Sequence, residues 1–219
     1  MKDSWRYFKS FFREEVLARS NSTLNPGLQV WYAYGRNMLN SENVNYSFGA
    51  LDKVFRSAFK QLELKNRNVE SALLLGLGAG NVPQLLRYSN PKAKMTALEF
   101  DPEVIRLGKE FFGLGEVPNL EIKEGDAFEF IPTCTVTFDL IIVDLFVDEN
   151  VPEAASSQKF LEKLAALLNK NGLVVFNRLG HTSRLYQQTE DFGRKMKKVL
   201  PGTRSLQADT NTLYVYEKK

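Results

Sequence analysis

From residue 69 onward, short apolar runs alternate with stretches whose apolar residues recur at helical spacing. Short apolar runs that end in glycine or acidic residues are typical of buried parallel strands. Strands and helices that alternate over short connections predict a doubly wound α/β fold. The predicted strands are 71–75, 95–99, 120–123, 138–144, 172–177, 204–208 and 212–217, and the predicted helices are 81–88, 102–112, 127–131, 156–168 and 183–199.

The last two predicted strands flank a tight turn, Asp209-Thr210-Asn211. A hairpin pairs its strands antiparallel, so at least one of the two runs against the parallel set. We therefore expect a seven-stranded, mostly parallel sheet of Rossmann-like type.

The N-terminal part of the chain has a different pattern. Aromatic and aliphatic residues from Trp5 to Leu17 recur at near-helical spacing and predict an amphipathic helix. Residues 28–32 and 37–39 predict a β-hairpin, and 50–62 predicts a linking helix. We expect two units, an N-terminal helix, hairpin and linking helix over 1–68 and the doubly wound sheet over 69–219.

Composition narrows the class of protein. The chain has 219 residues, 43% hydrophobic and 25% charged, as in an ordinary globular protein with a sizeable core. Cys134 is the single cysteine, which excludes an intrachain disulfide framework and a multi-cysteine metal site. His181 is the single histidine, which excludes a site that needs two imidazoles. The sequence contains no apolar run long enough for a membrane span and no signal-peptide core, so we expect a cytoplasmic protein.

The net charge is +3, and acidic residues are interspersed with the basic ones. A basic cluster lies at Arg194–Lys198 on a predicted helix, where a solvated face is a simpler interpretation than a binding patch. We therefore expect no nucleic-acid partner, since a basic stripe with interleaved aromatic residues is not evident.

A glycine-rich loop, Gly76-Leu77-Gly78-Ala79-Gly80, follows the first strand of the α/β pattern. Glycines there permit positive φ angles and let the backbone approach a ligand closely. The alternative is an ordinary tight turn between strand and helix. Because ligands of open α/β sheets lie at the carboxyl ends of the strands, the position favours a site for a nucleoside-type ligand.

Acidic residues stand at the ends of three further strands. Glu99 ends the second strand, where a carboxylate suits two ribose hydroxyls; a surface carboxylate is the alternative. Asp126 follows the third strand and can accept from an adenine amino group, while Ala127 offers a backbone N–H; capping a helix is the alternative for Asp126. Asp144 ends the fourth strand beside the expected ligand, where it could act as a general base.

The loop after the fourth strand adds Asp148 and Glu149. Several carboxylates near one another suit a cationic substrate such as an amine, and a solvated loop is the alternative. His181, beyond the fifth strand, could be a base, although an exposed or capping histidine is the simpler interpretation.

These residues resemble a known family. The core, about residues 45–180, resembles the spermidine/spermine synthase (polyamine aminopropyltransferase) group of the class I S-adenosylmethionine-dependent methyltransferase superfamily. Its five parallel strands, helix and terminal hairpin match the layout of that superfamily. The resemblance rests on Leu73–Gly80, Ala97–Ile105, Glu124–Ala127, Phe138–Asp144 and, upstream, Asn45–Leu51.

The resemblance implies a role for each matching position. S-adenosylmethionine or its decarboxylated form would be the cofactor, with no metal; Gly76, Gly78 and Gly80 would wrap its methionine-derived part and sugar. Glu99 would hold the ribose, and Asp126 with Ala127 the adenine. Asp144 aligns with the family's catalytic aspartate, and Tyr46 and Asp148 are weaker candidates for substrate contact. The resemblance also favours a small-molecule substrate and a homodimer.

The sequence departs from that family's pattern at three places. Asp144-Leu145-Phe146-Val147 lacks the second acid of the family's loop, and Ala79 stands where an acid is usual in the glycine loop. The upstream His-Glu pair is also missing. We therefore expect a transferase that moves a methyl group or has an orphan activity; the alternatives are a genuine aminopropyltransferase and a non-catalytic binding module.

Overall fold

The chain begins with a helix and a small antiparallel sheet. The computed structural model describes residues 2–41, 50–146 and 150–219. The elements are α1 (Lys2–Lys9), β1 (Glu15–Arg19), β2 (Gln29–Ala33), β3 (Arg36–Asn40) and, after them, α2 (Ala50–Gln61). Strand β2 pairs with both β1 and β3, so the predicted hairpin, β2–β3, is confirmed and carries an extra strand.

The predicted helix from Trp5 to Leu17 is wrong beyond Lys9. At the end of α1 the Ser10 hydroxyl donates to the Tyr7 carbonyl oxygen over 2.6 Å, and the chain then turns. From Glu15 it runs as β1, with Val16 opposite Trp31 of β2. An isolated short helix is marginal in water, so backbone pairing with a neighbouring strand outweighs the helical spacing.

The rest of the chain forms the doubly wound fold that the sequence predicts. The elements are β4 (Ser71–Leu75), α3 (Asn81–Ser89), β5 (Lys94–Glu99), α4 (Pro102–Phe111), β6 (Leu120–Glu124), α5 (Ala127–Thr133), β7 (Phe138–Val143), α6 (Gln158–Ala166), β8 (Leu168–Leu179), α7 (Ser183–Val199), β9 (Arg204–Ala208) and β10 (Asn211–Glu217). The strand order in this second sheet is β6-β5-β4-β7-β8-β10-β9, and of its seven described strands only β10 runs opposite to the other six.

Alternate residues of the central strands fill a core on each face of the sheet. Leu74 packs with side chains of α2 and α3, whereas Leu73 and Leu75 pack with those of α5, α6 and α7. Both faces are covered, and this is why the central strands are apolar throughout rather than alternating in polarity. The polar groups of β4 and β7 are thereby confined to the strand ends.

A third apolar cluster joins the small sheet to the glycine loop. Leu28, Val30 and Leu39 from the N-terminal residues pack with Ala79 of the loop and with Leu107 of α4. The Ala79 methyl group is buried in this cluster, so an acidic side chain at position 79 would be desolvated among aliphatic groups. The small sheet therefore supports the loop from behind.

We predict that Leu39→Ala lowers the free energy of unfolding by about 2–5 kcal/mol, because it leaves a cavity in a fully buried cluster. Urea denaturation followed by circular dichroism measures the change and is expected to show one transition, since the cluster belongs to both parts of the chain. Val136→Ala, at a side chain 60% exposed, is the control and should change stability by less than about 0.5 kcal/mol. An unchanged stability in Leu39→Ala would contradict the docking of the small sheet.

Candidate functional site

Three strand ends meet at the carboxyl edge of the sheet without a side chain between them. The Gly76 amide donates to the Leu98 carbonyl over 2.9 Å, and the Asp144 amide donates to the Leu75 carbonyl over 2.8 Å. Gly76 has φ of +86°, and a Cβ atom there would lie 2.2 Å from the Asp144 carbonyl oxygen. Only glycine fits both the φ angle and the close approach of the two chains.

A cavity of about 350 Å³ opens at this edge. Its volume is in the range of small-molecule sites. Its described wall is largely apolar and contains no lysine, arginine or histidine side chain. The polar side chains in the wall are Asn25, Glu99, Asp101, Asp126, Asp144 and Asn177, and the apolar ones include Leu24, Leu51, Val104, Leu145, Phe146 and Pro152.

Glu99 binds the backbone around the cavity. Its Oε2 accepts from the amides of Leu77 at 2.9 Å and Gly78 at 3.4 Å, and its Oε1 accepts from those of Phe100 at 2.9 Å and Asp101 at 3.1 Å. Burial raises the pKa of Glu99 more than these four amides lower it. The carboxylate therefore fastens the glycine loop to the end of β5, and its contact with a ribose stays a prediction.

Asp144 has a different environment at the same edge. Its Oδ1 accepts from Asn177 Nδ2 over 2.8 Å, while no described group donates to Oδ2. Burial raises the pKa of Asp144 to about 6, the Asn177 bond lowers it, and the nearby charge of Glu99 raises it further. A carboxylate with a pKa near neutrality and one oxygen without a donor can take up a proton in the cavity.

Two further acidic residues of the cavity wall, Asp126 and Asp101, cap helices. Asp126 Oδ1 accepts from the Phe128 amide over 2.7 Å and so caps α5, while Asp126 and Ala127 both line the cavity. Asp101 caps α4 and also accepts from Ser22 Oγ and from Asn25 Nδ2. Capping uses one carboxylate oxygen of Asp126 and leaves adenine contact as a prediction.

Not every predicted residue joins the site. Gly76 and Gly78 line the cavity, whereas Gly80 packs behind it, where a Cβ would lie 2.5 Å from Leu114 Cδ1. His181 is exposed and is not part of the described wall. Tyr46 and Asp148, the weaker substrate candidates, lie outside the described residues.

Two parts of the cavity wall were not predicted from the sequence: Asn177 and the N-terminal loop that contains Leu24 and Asn25. Asn177 is a lone amide at the end of the apolar run of β8, and this signal resembles that of Asp144 at the end of β7. Leu24 and Asn25 belong to a loop held on α4, partly by Ser20 Oγ donating to Glu103 Oε2 over 2.8 Å. No local sequence signal places that loop, because its partners lie 76 to 83 residues along the chain.

The described ranges contain neither a cluster of metal ligands nor a helix that could span a membrane. Residues 2–41, 50–146 and 150–219 contain no group of three or more histidine, cysteine, aspartate or glutamate side chains placed to hold a metal ion. None of the helices in those ranges is both long and apolar enough for a membrane crossing.

Comparison with known proteins gives the family of this chain. A family model described as "Spermine/spermidine synthase domain" matches residues 59–215, which is more than half of the chain. The fold is similar to the crystal structure of spermidine synthase from Thermotoga maritima, with a TM-score of 0.75 and 14% identity over 93% of this chain and 73% of the other. The predicted Rossmann-like sheet is thereby confirmed.

Two curated relatives of this chain have names that give different activities. A polyamine aminopropyltransferase of Vibrio vulnificus is 32% identical over 126 residues, which are 56% of this chain and 42% of that protein. An eEF1A lysine and N-terminal methyltransferase of Danio rerio is 30% identical over 131 residues, 55% of this chain and 19% of that protein. The chain therefore spans less than half the length of these relatives.

We predict that Gly76→Ala destabilises the protein by more than about 1 kcal/mol, because the new methyl group would strike the backbone of Asp144 in a conformation that alanine disfavours. Thermal unfolding measures the effect. Gly125→Ala is the matched control in the cavity wall, since its Cβ would meet only Leu98 Cδ1 at an ordinary 3.5 Å. Equal melting temperatures for the two variants would contradict the close junction.

Because the pKa of Asp144 is raised to about 6, its ionisation should cost stability as the pH rises from about 4 through 6. Asp144→Asn stays neutral, so it should be more stable than the wild type at pH 8, by up to about 3 kcal/mol, and equal to it near pH 4. Urea denaturation at both pH values measures this.

Asp139→Asn is a control of opposite sign. Hydrogen bonds from Asn169, Ser71 and Glu70 outweigh desolvation and lower the pKa of Asp139, so its charged form is stabilised in the fold. This variant should be less stable than the wild type at pH 8. If Asp144→Asn behaved in the same way, the raised pKa of Asp144 would be refuted.

Proposed function

Because the chain belongs to the spermine/spermidine synthase domain family, we propose that it transfers a group from a sulfonium nucleoside to an amine. The donor is S-adenosylmethionine or its decarboxylated form. Two relatives are named for transfer of different groups, aminopropyl in one and methyl in the other. Both names indicate an amine acceptor, which is a polyamine in the first and a lysine or an N-terminus in the second. An amine acceptor is therefore the common element.

The observation that carries the proposal is the environment of Asp144. The carboxylate stands in an apolar cavity at the strand ends, with Oδ1 bound by Asn177 and with Oδ2 lacking a described donor. Its pKa of about 6 leaves it ionised at neutral pH while keeping it basic enough to accept a proton. An ammonium acceptor would also be attracted to it before losing that proton.

The cavity suits a nucleoside in three respects. The glycine loop presents backbone at Gly76 and Gly78, the Glu99 carboxylate lies at the end of β5, and Asp126 with Ala127 lies at the start of α5. We assign the methionine-derived part and sugar to the first two and the adenine to the third. The apolar wall formed by Leu98, Val104 and Phe128 fits a flat aromatic base.

The reaction needs alignment and one proton transfer. The amine nitrogen attacks the carbon bonded to the sulfonium, a new C–N bond forms as the C–S bond breaks, and the electron pair of that bond stays on sulfur as a neutral thioether. The proton on the nitrogen goes to Asp144 Oδ2. The contribution of the protein is orientation, exclusion of water and this base.

We propose methyl transfer as the finer activity. A diamine acceptor needs a carboxylate for each ammonium group, and Leu145, Phe146 and Pro152 flank Asp144 in the described wall. At the glycine loop, the Ala79 side chain is buried toward the small sheet. The sequence offers no acid at either position where the related synthases carry one.

Aminopropyl transfer is the second candidate, and a specific feature favours it. The described wall has no lysine or arginine to pair with the carboxylate of S-adenosylmethionine, and the decarboxylated form lacks that group. The described wall contains four acidic side chains, which suit a donor of greater positive charge.

We predict a thermal shift with one pair of ligands. At about 100 times its dissociation constant a ligand adds roughly 2.7 kcal/mol, which for this size is on the order of 5–10 °C. A shift with S-adenosylmethionine and S-adenosylhomocysteine supports methyl transfer. A shift confined to decarboxylated S-adenosylmethionine and methylthioadenosine supports aminopropyl transfer, and no shift with any of the four contradicts the proposed function.

Turnover is tested with the ligand that binds and with amine acceptors. Asp144→Asn should lose turnover and keep its thermal shift, because the variant lacks the base and retains the nucleoside site. Asp139→Asn, at the opposite edge of the sheet, should keep turnover. Equal turnover in Asp144→Asn and the wild type would remove Asp144 from the mechanism and would favour a binding module that needs no base.

A further inference from the structure

A chain of buried amides leads from Asp144 to the far side of β8. Asn177 Nδ2 donates to Asp144 Oδ1 over 2.8 Å, and Asn211 Nδ2 donates to Asn177 Oδ1 over 2.9 Å. Thr210 Oγ1 donates to Asn211 Oδ1 over 3.1 Å and ends the chain at the hairpin turn. Asn177 is 0% exposed and Asn211 is 3% exposed.

The order of strands brings these residues together. β8 lies between β7 and β10, with Val143 opposite Phe176 and with Asn211 opposite Leu179. Asp144 directly follows β7, Asn177 is the residue after Phe176 in β8, and Asn211 begins β10. The polar chain thus crosses three adjacent strands at the carboxyl edge of the sheet.

The charge of Asp144 sets the direction of every bond in the chain. An ionised carboxylate can only accept, so Asn177 must turn its NH₂ group toward Asp144. The Asn177 oxygen then faces away and needs a donor, which is the NH₂ group of Asn211. The Asn211 oxygen in turn needs a donor, and the Thr210 hydroxyl supplies it.

We propose that Asn211 is a positioning residue for Asp144, acting through Asn177 to hold Oδ1 in the sheet and to leave Oδ2 as the oxygen that faces the cavity. The proposal rests on the proposed function for its reaction, in which Oδ2 takes the proton of the amine. Asn177 belongs to the described cavity wall and Asn211 does not, so Asn211 acts on Asp144 only through Asn177.

The amide chain has a cost that a purely structural role does not explain. A buried amide that loses its partners destabilises the fold, and aliphatic residues of similar size would avoid that risk at both positions. Leu173 and Val175 of β8 occupy the same face of the sheet and pack in the apolar core. The two amides interrupt that core only beside Asp144.

Loss of the hydrogen-bonded amides at positions 177 and 211 should raise the pKa of Asp144. Burial and the charge of Glu99 raise the pKa of Asp144, and the Asn177 bond is the group that lowers it. The other acidic side chains of the described wall, Asp101 and Asp126, are held as helix caps. Without Asn211 the Asn177 amide is free to turn, so the pKa of Asp144 rises and less of the base is ionised at a given pH.

The test compares Asn211→Leu with the wild type in two measurements. The carboxyl carbon of Asp144 is titrated by ¹³C NMR in protein labelled at aspartate, with Asp144→Asn identifying the resonance. The pH profile of kcat is measured with the sulfonium donor and amine acceptor that support turnover. Asn90→Leu is the matched control, since Asn90 is a buried amide that donates to the Arg67 carbonyl at the opposite edge of the sheet.

We expect the titration of Asp144 to move to higher pH by about one unit in Asn211→Leu and to stay in place in Asn90→Leu. The kcat should fall about five-fold at pH 6 and little at pH 9, while the dissociation constant of S-adenosylhomocysteine or methylthioadenosine stays within about two-fold. Asn211→Ala, which fits the same space with less bulk, should give the same titration shift if Asn211→Leu does not fold.

The outcomes separate the two proposals. An unmoved titration in both folded variants at position 211 would overturn the role of Asn211 whether or not the protein turns over. A moved titration without turnover by the wild type would support the amide chain and count against the proposed reaction. A moved titration with a kcat at pH 6 equal to that of the wild type would also overturn the role, because the lower ionisation of Asp144 should slow the reaction.

Discussion

The closeness of the backbones at Gly76 and Asp144 is the constraint on which the rest of the site depends. No side chain fits between the end of β4 and the end of β7, since a Cβ at position 76 would lie 2.2 Å from the Asp144 carbonyl oxygen. The junction lets the glycine loop turn back over the sheet toward Glu99. The cavity is therefore a consequence of backbone geometry, and its acidic side chains stand at strand ends or within two residues of them.

Most of the α/β part was predictable because one signal repeats along it. Each central strand is buried on both faces, so it appears in the sequence as an unbroken apolar run bounded by turn residues. Prediction failed over Glu15–Arg19, where spacing alone favours a helix and pairing with Gln29–Ala33 decides the outcome. Pairing between strands of the small sheet leaves no local pattern in the sequence, whereas a buried central strand leaves an apolar run that predicts it.

The residues of the candidate site likewise include some that a local sequence pattern predicts and some that only distant contacts place there. Gly76, Asp126 and Asp144 could be found because a parallel strand that ends in a polar or glycine residue delivers it to the ligand edge. Asn177 follows the same rule on β8 and was detectable in principle. The loop of Leu24 and Asn25 was not, since hydrogen bonds to α4 from distant positions in the chain place it against the cavity.

Two half-buried carboxylates at the same edge of the sheet differ in the number of groups that donate to them. Glu99 is surrounded by four backbone amides, so its charge is used to hold the glycine loop. Asp144 receives one amide bond and is raised in pKa to about 6 by burial and by the charge of Glu99. The charge that stabilises the loop therefore raises the pKa of its neighbour, and the unequal supply of donors leaves only Asp144 with an oxygen to which no described group donates.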